Sequence, residues 1–155
     1  MSDTTQEPTS AVMPGHLIRR LHQVSTRVFL ARMKQAEIAL TPVQFAAMDA
    51  ISRRPDMDQA QLAKTIGKDK ATIGAVADRL AHKGLVSRSK SATDKRARVL
   101  RATKSGTELL ARARPIVAAL QREILPGLSA DEYDAFVSLA AKATLAAEAL
   151  LDDAH

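Results

Sequence analysis

The side chains best suited to chemistry in this sequence are cations. Between Ala60 and Lys104 twelve Lys or Arg stand against three acids, Asp69, Asp78 and Asp94, giving a local charge of +9 in a chain of net charge +6. The flanking segments together sum to −3. Clustering of this size beside acidic flanks points to a polyanion-binding lobe rather than an evenly solvated basic surface. The groups needed for covalent or metal chemistry are missing or misplaced. Without cysteine, thiol redox sensing, Cys-ligated zinc and thiol catalysis are excluded. There is no Gly-rich phosphate loop, no HExxH pair and no nucleophile elbow, and the scattered acids read as helix caps and surface charge. His16 and His22 are six residues apart, on different faces of one helix, so they do not form a metal site. The expectation is a binding protein, not an enzyme, with neither cofactor nor metal.

The elements that carry these cations are mostly helical. Of 155 residues 46% are apolar but only 3% aromatic, so the core must be built from Ala, Leu, Val and Ile on helices. No apolar run reaches membrane-spanning length, and the polar start Met1 to Ser10 lacks the order of a signal peptide, so a cytoplasmic protein without membrane contact is expected. Leu17, Leu21, Val24 and Val28 form one stripe of a long first helix, about Met13 to Ala39, with Pro14 in its first turn. Thr41-Pro-Val-Gln44 reads as a capping box opening a second helix that ends near Arg53. Asp58 caps a short third helix stopped by Gly67, and Asp69 caps a fourth, with Ile73, Val76, Ala77 and Leu80 inward and Gly84 as its stop. From Leu85 to Thr103 the pattern shifts toward alternation around a charged loop, Ser89 to Arg98, which predicts a two-stranded hairpin. Two long helices follow. One runs from about Lys104 to Leu125 with Pro115 inside it, and the other starts at the capping box Ser129-Ala-Asp-Glu132 with the stripe Phe136, Val137, Ala140, Thr144 and Ala147.

A tight helix-turn-helix followed at once by a hairpin is a winged helix-turn-helix. The fold class is therefore mainly α with a small β-hairpin wing: a DNA-binding lobe plus a helical dimerisation region. The expected divisions are a disordered tail at 1–12, an N-terminal dimerisation helix at 13–40, the winged lobe at 41–103 and C-terminal dimerisation helices at 104–155. The first and last two helices carry more Ala and Leu than the small lobe can cover, so they are expected to bury one another across a two-fold axis.

Four stretches carry a resemblance: Leu40-Thr-Pro-Val-Gln-Phe45, Gln61-Leu-Ala-Lys64, Asp78-Arg-Leu-Ala-His-Lys-Gly-Leu-Val-Ser-Arg88, and Asp94-Lys-Arg-Ala97 leading to Thr103-Lys-Ser-Gly106. Each alone is weak. In this order, with helical flanks of matching length, the sequence resembles the MarR family of winged helix-turn-helix regulators. Ala102 departs from the pattern, which usually has Leu before the threonine, and is expected to loosen packing under the wing.

The resemblance implies duplex DNA as partner, read by a homodimer. The N-terminal half of the fourth helix would enter the major groove, presenting Lys70, Ala71, Thr72, Gly74 and Ala75, with Lys68 beside them. Lys68 and Lys70 reach phosphate or a guanine edge, Thr72 a phosphate or a thymine methyl, and Gly74 and Ala75 allow close approach of the helix backbone. At the wing Arg96 resembles the family arginine that enters the minor groove, oriented by Asp94. Lys95 and Arg98 would contact phosphates, and Arg88 and Lys90 would assist at the strand edge. The family also implies release by a small anion, often an aromatic acid. A cleft for an aromatic carboxylate effector needs apolar walls and a cationic donor, and Arg20 with His16 or His22, against Phe45 and Met48, supplies both. The same His and Arg residues read equally as interface groups. The expected function is a sequence-specific transcription regulator, usually a repressor, and the alternative is a sequence-indifferent architectural DNA binder without an effector.

Overall fold

A computed structural model describes residues 9–94 and 96–153. The chain divides into two compact units, one ending at Leu120 and the other beginning at Gln121. The first contains α1 (Pro14–Gln35), α2 (Pro42–Arg53), β1 (Met57–Asp58), α3 (Gln59–Ile66), α4 (Lys70–His82), β2 (Val86–Lys90) and β3 (Arg98–Ala102). Helix α5 (Lys104–Ile124) starts in this unit and runs through the division, and α6 (Ala130–Asp153) lies in the second unit. Of the expected disordered tail, residues 1–8 lie outside the described residues, and Thr9–Val12 form a turn of 3-10 helix.

Local chemistry sets most helix boundaries. At α2, Thr41 Oγ1 accepts from the Gln44 N–H and Gln44 Oε1 accepts from the Thr41 N–H, both at 3.2 Å. Such a cap contributes about 1 kcal/mol. Asp58 and Gln61 repeat the box at α3. Helices α3 and α4 end on Gly67 (φ 65°) and Gly84 (φ 70°). In each case the residue beyond the glycine donates its N–H back into the last turn, Lys68 to Ala63 at 2.9 Å and Leu85 to Leu80 at 3.0 Å. Helix α1 ends the same way but sooner than expected, at Gln35 rather than Ala39. Glu37 takes the left-handed conformation (φ 55°) and Ile38 N–H bonds the Met33 carbonyl at 2.9 Å. With no glycine or proline there, the sequence carried no stop signal.

The hairpin is part of a three-stranded antiparallel sheet ordered β1-β3-β2. Register is fixed by Arg88 opposite Leu100 on one side of β3 and Met57 opposite Leu100 on the other. The extra strand is two residues long, too short to show any alternation in sequence. Met48 and Ile51 of α2, Leu62 of α3, Ile73 and Leu80 of α4, Leu100 of β3 and Leu110 of α5 are fully buried, each contributing roughly 1.5–3 kcal/mol by removal from water. Helix α5 is locked to this core at its start. Thr103 Oγ1 donates to the Gly84 carbonyl at 2.6 Å and accepts from the Gly106 N–H at 3.0 Å.

Two apolar faces remain open. On α1 only Phe29 and Met33 are buried, whereas Leu17, Ile18, Val24 and Leu30 are exposed. In the second unit α6 buries no residue: Leu139, Leu145, Leu150 and Leu151 are each about two-thirds exposed or more. Among the described residues no helix is long and apolar enough to cross a membrane.

Candidate nucleic-acid interface

Helix α4 has one buried face, Ile73, Ala77 and Leu80, and presents the opposite one. Lys68, Lys70, Ala71, Thr72 and Ala75 are exposed. The helix start is set by Asp69, whose carboxylate accepts the Thr72 N–H at 2.8 Å and the Thr72 hydroxyl at 2.6 Å. The side-chain bond and then the backbone bond from Thr72 hold the Asp69 carboxyl below its ordinary pKa. The hydroxyl proton that Thr72 would give to a phosphate is thus committed within the helix start, leaving its methyl group for a thymine. Gly74 is half-buried, and a Cβ built on it would lie 3.6 Å from Gln59 Nε2 of α3. It faces its neighbouring helix, whereas Ala71 and Ala75 are exposed. The first-turn N–H groups of α4 and the cations around them make this end attractive to phosphate.

The wing loop is ordered by short polar bonds. Ser91 Oγ accepts the N–H of Thr93 and of Asp94, both at 3.2 Å, and Asp94 Oδ1 accepts the Arg96 backbone N–H at 2.9 Å. Asp94 therefore orients the main chain of Arg96 rather than its guanidinium. Lys90, Arg96 and Arg98 are exposed, and Lys95 lies outside the described residues. Arg88 differs from its expected role. Its Nη1 is 2.6 Å from Asp78 Oδ1 of α4, its side chain is only 23% exposed, and its Nε is buried without a partner. It joins the wing to α4.

The expected effector residues are only partly assembled. His16 Nδ1 lies 3.3 Å from Arg19 Nη2, a neighbour that sequence reasoning passed over, while Arg20 and His22 are exposed. Phe45 is half-buried with its ring centroid 6.1 Å from that of Phe29. Met48 is fully buried in the core, so it packs the lobe and presents no wall to a ligand. Ala102 lies on the wall of a hollow of about 480 Å³ beside Ile51 and Pro55.

Several polar links had no local signal. Arg114 of α5 donates to Asp49 Oδ1 at 2.9 Å and to Ser52 Oγ at 3.2 Å, and Arg53 donates to Asp49 Oδ2 at 2.8 Å. Arg101 of β3 pairs with Asp56, itself at positive φ. Lys83 Nζ donates to the Ala39 carbonyl at 2.6 Å and to Gln44 Oε1 at 3.3 Å. Except for Arg53 and Asp49, an i,i+4 pair on α2, the partners are tens of residues apart in sequence, and only the tertiary fold brings them together.

A capped helix with an exposed cationic start, joined by an ion pair to a cationic wing, defines a DNA-binding protein of the winged helix-turn-helix class. The MarR family profile matches residues 40–97. The transcriptional regulator HosA of Escherichia coli O157:H7 is 37% identical over 127 residues, covering 82% of this chain and 91% of HosA. The chain belongs to the MarR family and is a DNA-binding transcriptional regulator. Among solved structures, PcaV of Streptomyces coelicolor in complex with its natural ligand has a TM-score of 0.81 at 30% identity, covering 90% of this chain and 97% of PcaV. BpsR of Bordetella bronchiseptica, whose DNA binding is regulated by 6-hydroxynicotinic acid, has a TM-score of 0.81 at 26% identity, covering 88% of this chain and 96% of BpsR.

Proposed function

We propose that this chain is a cytoplasmic repressor that binds a pseudo-palindromic operator as a homodimer and is released by a small aromatic carboxylate. The observation that carries the DNA reading is the two-sided character of α4: Ile73, Ala77 and Leu80 anchor it while Lys68, Lys70, Ala71, Thr72 and Ala75 are exposed at its capped end. Placed in a major groove, these side chains meet base edges and phosphates, and Arg96 with Arg98 meets the adjacent minor groove and its backbone. Leu17, Ile18 and Val24 of α1 and the open leucines of α6 support a second copy as their cover, and a two-fold dimer presents its helices about 34–36 Å apart, one turn of DNA. Introducing Leu145→Glu with Leu150→Glu should then yield monomers by light scattering.

Titrating labelled DNA from upstream of the chain's own gene, beside a scrambled duplex, tests the regulator reading by fluorescence anisotropy. A preference of about a thousandfold or more supports operator recognition, whereas equal affinity favours a sequence-indifferent architectural protein. The effector reading draws on BpsR, whose regulating ligand is an aromatic acid, and on Arg20, His16 and His22 along α1, of which Arg20 and His22 are exposed. Arg20→Ala should abolish release by aromatic acids while sparing DNA binding. Undiminished release would remove Arg20 from the effector site.

A further inference from the structure

A cavity of about 570 Å³ opens where the end of α1, the joint to α2 and the end of α4 meet. It lies apart from the Arg20 edge and shares none of the effector residues named above. Among the described residues, Leu30, Met33, Ile38 and Leu40 line it and no aromatic ring does, and Lys34, Arg79 and Lys83 border it against a single acid, Glu37. The volume and apolar lining suit a small organic molecule, and the excess of cations suits an anionic one.

Lys83 gives this cavity its chemistry. Its ammonium donates to two neutral oxygens, the Ala39 carbonyl at 2.6 Å and Gln44 Oε1 at 3.3 Å, and has no carboxylate partner among the described residues. Gln44 is 4% exposed and its Oε1 is held by the Thr41 N–H, while its Nε2 has no hydrogen bond among the described residues. One charged donor and one buried amide therefore meet at a site where a carboxylate would be a stronger acceptor than either present oxygen.

We propose that this cavity binds an aliphatic monocarboxylate, its head between Lys83 and Arg79 and its chain along Leu30, Met33, Ile38 and Leu40. The absence of rings from the wall is what favours an acyl chain over an aromatic acid. Lys83 closes the C-terminal end of the helix whose other end carries Lys70 and Thr72. A carboxylate that draws Lys83 from the Ala39 carbonyl loosens the link between α4 and the α1–α2 joint, so acid binding and DNA binding are coupled, each altering the other. Only this coupling rests on the DNA-binding reading.

Calorimetry of the full chain without DNA tests the site, using octanoate as ligand with octylamine and benzoate as controls. Saturable octanoate binding is expected, with no octylamine binding and benzoate weaker by about tenfold. Lys83→Met and Leu30→Asp, both at exposed positions, should each weaken octanoate about tenfold or more, and Glu37→Gln should strengthen it, while Arg20→Ala leaves it unchanged. No saturable binding, equal binding of octanoate and octylamine, or loss through Arg20→Ala alone would overturn the site. Anisotropy with operator DNA then reads the coupling. An unchanged DNA affinity at saturating octanoate refutes that half, and absence of DNA binding before octanoate is added marks a failure of the regulator reading instead.

Discussion

Arg88 on β2 reaches across to Asp78 on α4, Nη1 to Oδ1 at 2.6 Å, and fixes the wing to the helix proposed to enter the groove. In the proposed complex both elements meet DNA together, so their relative position matters more than the modest stability of a partly exposed pair, about 0.2–1 kcal/mol. Arg88→Met should lower operator affinity, yet leave the salt dependence of binding unaltered, because a residue that touches no phosphate releases no counterion. For comparison Arg98→Met should reduce the slope of log affinity against log salt by about one. Anisotropy titrations at several salt concentrations separate the two. A reduced slope for Arg88→Met would show that it contacts phosphate after all.

Gly106 has no room for a side chain. A Cβ there would stand 2.0 Å from the Leu85 carbonyl oxygen, a backbone atom that cannot move aside cheaply. Gly106→Ala should push α5 off the joint between α4 and β2 and destabilise the lobe by about 1–3 kcal/mol or more. The urea midpoint measures it, and a midpoint equal to that of the parent would contradict the close approach.

Gly74 calls for the opposite outcome. It lies inside α4, and its added Cβ meets only Gln59 Nε2, at the ordinary contact distance of 3.6 Å. Gly74→Ala should raise stability by roughly 0.5–1 kcal/mol through the lower conformational freedom of the unfolded chain. Operator affinity should be retained, since this position faces α3. A large loss of affinity with intact folding would restore Gly74 to the DNA surface.

The architecture was legible in the sequence wherever one residue acts on its near neighbours. Thr41 with Gln44, Asp58 with Gln61, and Asp69 with Thr72 are bonds across three residues, and Gly67 and Gly84 mark stops by their own backbone freedom. The exposed cations at the start of α4 were legible for the same reason, because an apolar stripe fixes which face of α4 is left over. Glu37 hid the end of α1, since an ordinary residue took the left-handed conformation. Arg88, Gly74 and Met48 were read as facing ligands because their types allow it. Their actual neighbours, Asp78, Gln59 and the core, come from other elements that helical spacing does not locate.

Acid should weaken the fold through three carboxyls held below their ordinary value. At Asp49 burial raises the pKa, but hydrogen bonds from Arg53 and Arg114, with the charges of both, outweigh it and leave a net lowering. At Asp56 the bond from Arg101 leads, and at Asp69 the bonds from Thr72. Between the folded and unfolded pKa values the unfolded chain binds more protons, so stability rises with pH across that interval. The contribution is complete above the model-peptide value of 3.8 and is lost as pH falls through the lower folded values. Urea midpoints should therefore change little on these groups' account between about pH 7 and about pH 5, then drop on further acidification. Asp49→Asn should lower the midpoint at neutral pH and make the acid decline shallower, because one of the three groups no longer titrates. If its decline parallels that of the parent, the Asp49 link between α2 and α5 adds nothing to acid sensitivity.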